Sequence, residues 1–290
     1  MTILSDISEA TAALVDKAAQ RIVAIDAGGR HAASGIVWRA GLIVTANEAL
    51  GDDEQVELTL SGGKTVTAKL AGRDASTDIA LLRAEDAIEA GEPFKPAAGV
   101  KTGHRVLAVG RSGSGPLASS GIVRESGPSW HSWAGGLIDR RILLDLALDH
   151  RAHGGAVIDA AGDLVGIAAF APRHQALVIP AETVERVAER LRTGGGVERG
   201  YLGASLHPLK ARGDRSGVIV IDIDDDGPAR RAGVIVGDVL TRWNSEAIES
   251  VRDVMRKLGP DAVGATVALD VVRAGEPRKL DVVIGARPHT

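Results

Sequence analysis

The chain has 290 residues, which at roughly 100–200 residues per domain predicts about two domains. Its 34 basic and 38 acidic side chains leave a net charge of −4, which argues against a nucleic-acid partner, because such binding needs a basic face. With no cysteine there is no disulfide, thiol nucleophile or thiolate metal site, and no stretch approaches the ~18 apolar residues of a membrane span.

Asp6 and Glu9 predict a capping box for an opening helix, with Ile7, Ala10, Leu14, Ala18 and Ile22 as its apolar stripe. Residues 1–17 lack the basic start and unbroken apolar run of a signal peptide, so the expected location is cytoplasmic. The period then changes to two. Val56, Leu58 and Leu60, a turn at Ser61–Lys64, then Val66 and Ala68 predict a β-hairpin. Further short apolar runs at 79–82, 106–109, 142–146, 157–158, 164–168 and 177–179 are bounded by Gly, Pro or Asp. With 36 glycines and only 2% aromatics, this predicts a barrel or sandwich packed by aliphatic side chains. Gly110–Gly115 resembles a phosphate cradle, but Pro116 follows where Gly-Lys-Ser/Thr should, so the segment reads as a glycine turn. A helix near Pro180 presents Val184, Val187, Ala188 and Leu191, with Glu182–Arg186 as an i,i+4 pair.

Thr193-Gly194-Gly195-Gly196 reads as a linker, giving domains at 1–196 and 197–290. The second part reads as strand (217–223), short helix (228–231), strand (238–243), helix (251–258) and two strands (266–272, 279–284). That is a small α+β module.

Five segments, Gly41–Leu50, Arg73–Arg83, Arg105–Val123, Asp149–Ile167 and Leu177–Gly203, together resemble the HtrA family of trypsin-like serine proteases. Gly217–Leu240 (GVIVIDIDDDGPARRAGVIVGDVL) resembles the PDZ domain that follows the protease there. The resemblance implies a mostly β fold: a chymotrypsin/trypsin-like double β-barrel, then a PDZ domain. It places the triad at Glu48, Asp78 and His153, where the family carries His, Asp and Ser. Arg151 stands where the family's Gly-Asn-Ser-Gly-Gly loop begins with glycine.

These departures remove the chemistry of acyl transfer. The reaction needs a hydroxyl nucleophile, a base near neutrality and backbone N–H groups for the oxyanion. His153 supplies no hydroxyl, and Glu48 as an ordinary carboxylate is a weak base at neutral pH. Losing nucleophile or base removes on the order of 10⁶ in turnover. Arg151 in place of glycine adds the expectation of a strained, positive-φ residue. The expected protein is a pseudoprotease. Two alternatives stay open: a divalent-metal site at Glu48, Asp78 and His153, with His150 near in sequence, or a residual peptidase using His153 as nucleophile. The favoured reading needs no cofactor.

In the PDZ-like part, the resemblance makes Tyr201, Leu202, Gly203 and Ala204 the loop whose N–H groups bind a terminal carboxylate. Residues 204–207 would pair with the peptide, and Val251 and Val254 lie on the helix beside the groove or in the core. The implied partners are peptide or protein C-termini. Trp130 and Trp133 sit in a Gly-rich loop matching the one that senses the PDZ domain in that family, with folding back over the barrel as the alternative.

Overall fold

Short aliphatic runs, four of them buried on both faces and two alternating, build six strands before residue 85 in the computed structural model, which describes residues 2–26, 32–51, 53–88, 91–194, 200–209, 217–259 and 262–286. The opening helix α1 (Ile3–Ala19) starts one turn earlier than expected. Thr2 is its cap, accepting from the Ser5 N–H, while Asp6 lies in the first turn, where its charge suits the helix dipole. Ile22, expected to end this helix, instead opens β1 (Ile22–Asp26).

The first barrel comprises β1, β2 (Ala33–Arg39), β3 (Leu42–Ala46), β4 (Gln55–Thr59), β5 (Thr65–Asp74) and β6 (Ile79–Ala84). All its pairs are antiparallel, in the order β1-β2-β3-β6-β5-β4, closed by β4 on β1. The second comprises β7 (Arg105–Ser112), β8 (Gly115–Gly127), β9 (Arg141–Asp145), β10 (Ala156–Asp159), β11 (Leu164–Ala171) and β12 (Gln175–Pro180). It closes in the order β9-β12-β11-β10-β7-β8. Only Gly113 and Ser114 separate β7 from β8, so the glycine motif is a hairpin turn. Closure leaves neither sheet an unpaired edge.

Each barrel has its own aliphatic interior, built around Ile43, Leu58 and Leu82 in the first and Val106, Val157 and Val178 in the second. A third cluster, including Ile36, Val44, Leu81, Val109 and Ile167, joins the two barrels and takes in one face of helix α2 (Ala181–Gly194). Pro180 closes β12 and so precedes this helix. The expected Glu182–Arg186 pair gives way to a longer-range one: Arg186 donates at 2.7 Å to Asp139, 47 residues away, whose carboxylate is held below its usual range.

The chain divides into two compact units: residues 1–130 with 137–197, and 131–136 with 198–290. Gly195 and Gly196 of the expected linker lie outside the described residues. In the second unit β13 (Ala204–Leu209), β14 (Gly217–Ile223), β15 (Val239–Trp243), β16 (Thr266–Arg273) and β17 (Glu276–Val283) follow one another across one sheet. Helix α3 (Pro228–Arg231) follows β14, and α4 (Val251–Lys257) is opened by a Ser250–Asp253 capping box. Trp243, 3% exposed, is the large side chain at the centre of its core. No helix among the described residues is long and apolar enough to cross a membrane.

Candidate functional site

Glu48, Asp78 and His153, expected from the family resemblance at the triad positions, come from three separate turns of the first unit. Asp78 directly precedes β6 with φ of 58°, a left-handed conformation that Asp tolerates better than most residues. Its Oδ1 accepts the Glu48 N–H at 2.8 Å, and its carbonyl accepts the Asn47 N–H at 3.2 Å. The turn after β3 is thereby tied to residue 78. Glu48 itself is exposed. Partial desolvation, reinforced by the charge of Asp78 and opposed by His153, pushes its carboxyl above the usual range.

His153 is 8% exposed, and its Nε2 lies 3.6 Å from Asp78 Oδ2 without a hydrogen-bond partner. The ring meets Phe170 edge-on at 5.2 Å, and His150 stacks on the same phenyl ring at 4.8 Å. Phe170 and its neighbour His174 were silent in the sequence, because a lone aromatic in a strand carries no functional signal. Among the described residues no three His, Asp or Glu side chains converge as a metal-binding group, so the metal alternative has no geometric support.

The loop before His153 differs from expectation. Arg151 belongs to a 3₁₀ turn, His150–Ala152, and is not among the positive-φ residues, so the expected strain is absent. The reason is Asp149. This residue caps the turn, its Oδ1 accepting the Arg151 N–H at 2.8 Å. An Asp two residues before the substituted glycine was the available signal for such a turn. Asp149 also pairs with the Arg151 guanidinium, and these bonds hold its pKa down to about 2.

In the second unit, Gly203 is left-handed at φ 71°, and a Cβ there would lie 2.7 Å from the Gly227 Cα. Glycine is required by this close approach. The Gly203 carbonyl accepts from Asp224 and the Leu202 carbonyl from Ala229, which fixes the loop. No acceptor for the N–H groups of Leu202 and Gly203 is found among the described residues. Tyr201 pairs with Gly285, and Ala204 opens β13, a sheet edge. Of the two valines, Val254 is fully buried in the core, whereas Val251 keeps some surface. The two tryptophans separate. Trp130 is half-buried against the barrel core, and Trp133 is 73% exposed in the second unit, with the Arg252 guanidinium 5.0 Å from its ring centroid.

Two closed antiparallel barrels joined through one core, and a small sheet with a left-handed glycine in the loop before its edge strand, define a trypsin-fold protein with an appended PDZ domain. Residues 33–167 match the family model described as Trypsin-like peptidase domain, and residues 200–284 match that described as PDZ domain. The chain belongs to the HtrA family. A protein of Brucella suis biovar 1 (strain 1330) named "Probable periplasmic serine endoprotease DegP-like" is 32% identical over 274 residues, covering 88% of this chain and 52% of its own length. A protein of the same name from Rhizobium meliloti (strain 1021) is 29% identical, covering 86% and 52%. The chain thus spans about half the length of these curated relatives. Among solved structures, "HtrA-type protease AlgW with decapeptide" superposes with a TM-score of 0.74 at 25% identity, covering 96% of this chain and 99% of that one. The serine endoprotease from Yersinia pestis gives 0.74 at 26%, covering 95% and 97%.

One expectation is overturned here. The cytoplasmic location inferred from residues 1–17 conflicts with relatives named as periplasmic. The physical reason is that residues 3–19 form the helix α1, part of the fold, so the lack of a leader pattern in them carries no information on location.

Proposed function

We propose that this protein is a non-catalytic HtrA-family member that recognises peptide or protein C-termini through its PDZ domain, with the two-barrel domain as scaffold, in the periplasm. The observation that carries the non-catalytic reading is His153. At the nucleophile position stands a buried imidazole facing Asp78, with no hydroxyl to attack a carbonyl. Glu48, even with a raised pKa, is exposed and has no such hydroxyl to activate.

Several features support the PDZ reading. The Leu202 and Gly203 N–H groups have no acceptor among the described residues, β13 is an edge strand suited to strand addition, and Val251 presents apolar surface on α4. Pro208 within β13 is compatible with an edge, where a missing N–H costs no ladder bond. The similar protease AlgW was solved with a decapeptide. A peptide ending in an apolar residue and a free carboxylate should bind the full chain with micromolar affinity, about −8 kcal/mol. Titrating free-acid and amidated forms of one peptide tests this: equal affinity, or no binding by either, sinks the carboxylate-reading proposal.

A further inference from the structure

Five consecutive backbone N–H groups lead into and out of the nucleophile position, and all five are bonded within the chain. Arg151 donates to Asp149 Oδ1 (2.8 Å), Ala152 to the Asp149 carbonyl (2.9 Å) and His153 to the His150 carbonyl (3.0 Å). Gly154 donates to the Ala168 carbonyl (2.8 Å) and Gly155 to the Ala152 carbonyl (2.9 Å). In a trypsin-like triad the oxyanion is held by the N–H of the nucleophile and that of the residue two before it. Here those are His153 and Arg151. Neither is free to meet a substrate oxygen.

We propose that Asp149 and Arg151 form a latch that holds this loop in a closed turn, shutting off the oxyanion site independently of the substitutions at Glu48 and His153. The proposal rests on the reading that the site is non-catalytic and adds a second, separable cause. A single carboxylate receives three bonds from one residue. Beyond the Arg151 N–H, Nε reaches Oδ1 at 3.0 Å and Nη2 reaches Oδ2 at 2.7 Å. Such a bidentate pair fixes geometry as well as charge. Glycine in place of Arg151 could supply only the backbone bond. The other side of the turn is anchored by Ser34, whose Oγ donates to the Arg151 carbonyl at 2.6 Å and accepts the Arg111 N–H at 2.8 Å. Arg111, buried, donates in turn to the Ile22 and Ala19 carbonyls where α1 meets β1. The turn is thus clamped between a surface ion pair and an internal hydroxyl. A substrate oxygen would have to displace the Asp149 carboxylate to reach the Arg151 N–H.

Two measurements test the latch in the full chain. Amide hydrogen exchange at Arg151 should quicken at least tenfold in Asp149→Ala. It should quicken less in Asp149→Asn, which keeps an acceptor oxygen, and the barrel strands should be unchanged in both. Unchanged exchange at Arg151 overturns the proposal, and strand protection separates a released loop from an unfolded domain. The second measurement restores the triad side chains with Glu48→His and His153→Ser and follows casein hydrolysis. That double variant should stay inactive, and adding Asp149→Ala with Arg151→Gly should raise turnover about 10²-fold or more, the usual worth of one oxyanion donor. A double variant as active as the quadruple one, or a quadruple one no faster than the double, overturns the latch. Neither result bears on whether the native chain cleaves, so hydrolysis by the native chain would sink the non-catalytic reading separately.

Discussion

His153 Nε2 lies 3.6 Å from Asp78 Oδ2, so the buried imidazole faces this aspartate directly. Replacing His153 with Ala removes this partner, deletes the contact with Phe170 and leaves Asp78 with the Glu48 side chain beside it. A loss of about 2 kcal/mol is expected from the cavity that a large-to-small change leaves at this buried site against Phe170. Thermal or urea unfolding of His153→Ala at neutral pH checks it, and wild-type stability would mean that the buried ring contributes nothing.

Glu48 gives a pH dependence of definite sign. Its folded-state pKa is raised by desolvation first and then by Asp78, so its contribution favours the folded state at low pH, where it is protonated. That contribution is lost as pH rises through the folded-state value. Glu48→Gln should therefore raise the unfolding temperature at pH 7 and change it little near pH 3. A thermal-shift series across this range reads the difference, and a destabilising effect at pH 7 would contradict the assigned cause.

Asp149 has the opposite sign. Its pKa of about 2 is depressed by hydrogen bonds from Arg151, so its contribution is present above the unfolded value near 4 and disappears as pH falls toward 2. The 150–153 loop should hold its conformation at pH 4–5. Loop opening at pH 5, seen as chemical-shift changes confined to residues 149–153, would contradict the ion-pair account.

At the PDZ loop, Gly203→Val should lower peptide affinity at least tenfold and also lower stability, since the new Cβ meets Gly227 Cα and the backbone is left-handed. Amidating the peptide removes a charge-assisted interaction, worth about 1.5–3 kcal/mol, and leaves the protein intact. Calorimetric titration of both arms separates lost recognition from lost folding.

The elements that sequence reading recovers are those set by local periodicity. Gly217–Ile223 is a strand, Val251 opens a helix, and Gly113–Ser114 is a turn, because alternation, capping and glycine act over a few residues. The site was legible only through the family resemblance, which brought Glu48, Asp78 and His153 together across 105 residues of chain. Long-range side-chain choices were hidden. Arg186 prefers Asp139 to its helical neighbour Glu182, and Ser34 joins Arg111 to Arg151, because folding rather than spacing makes those groups adjacent. Arg151 shows the reverse error: glycine's replacement suggested strain, yet Asp149 two residues earlier redirects the loop so that none arises.

The most direct test of the central claim is hydrolysis of unfolded casein by the purified native chain at neutral pH, beside His153→Ala. With no hydroxyl at the nucleophile position, casein should survive both incubations at the rate of the protein-free control. Cleavage by the native chain that persists through stringent purification and vanishes in His153→Ala would contradict the account.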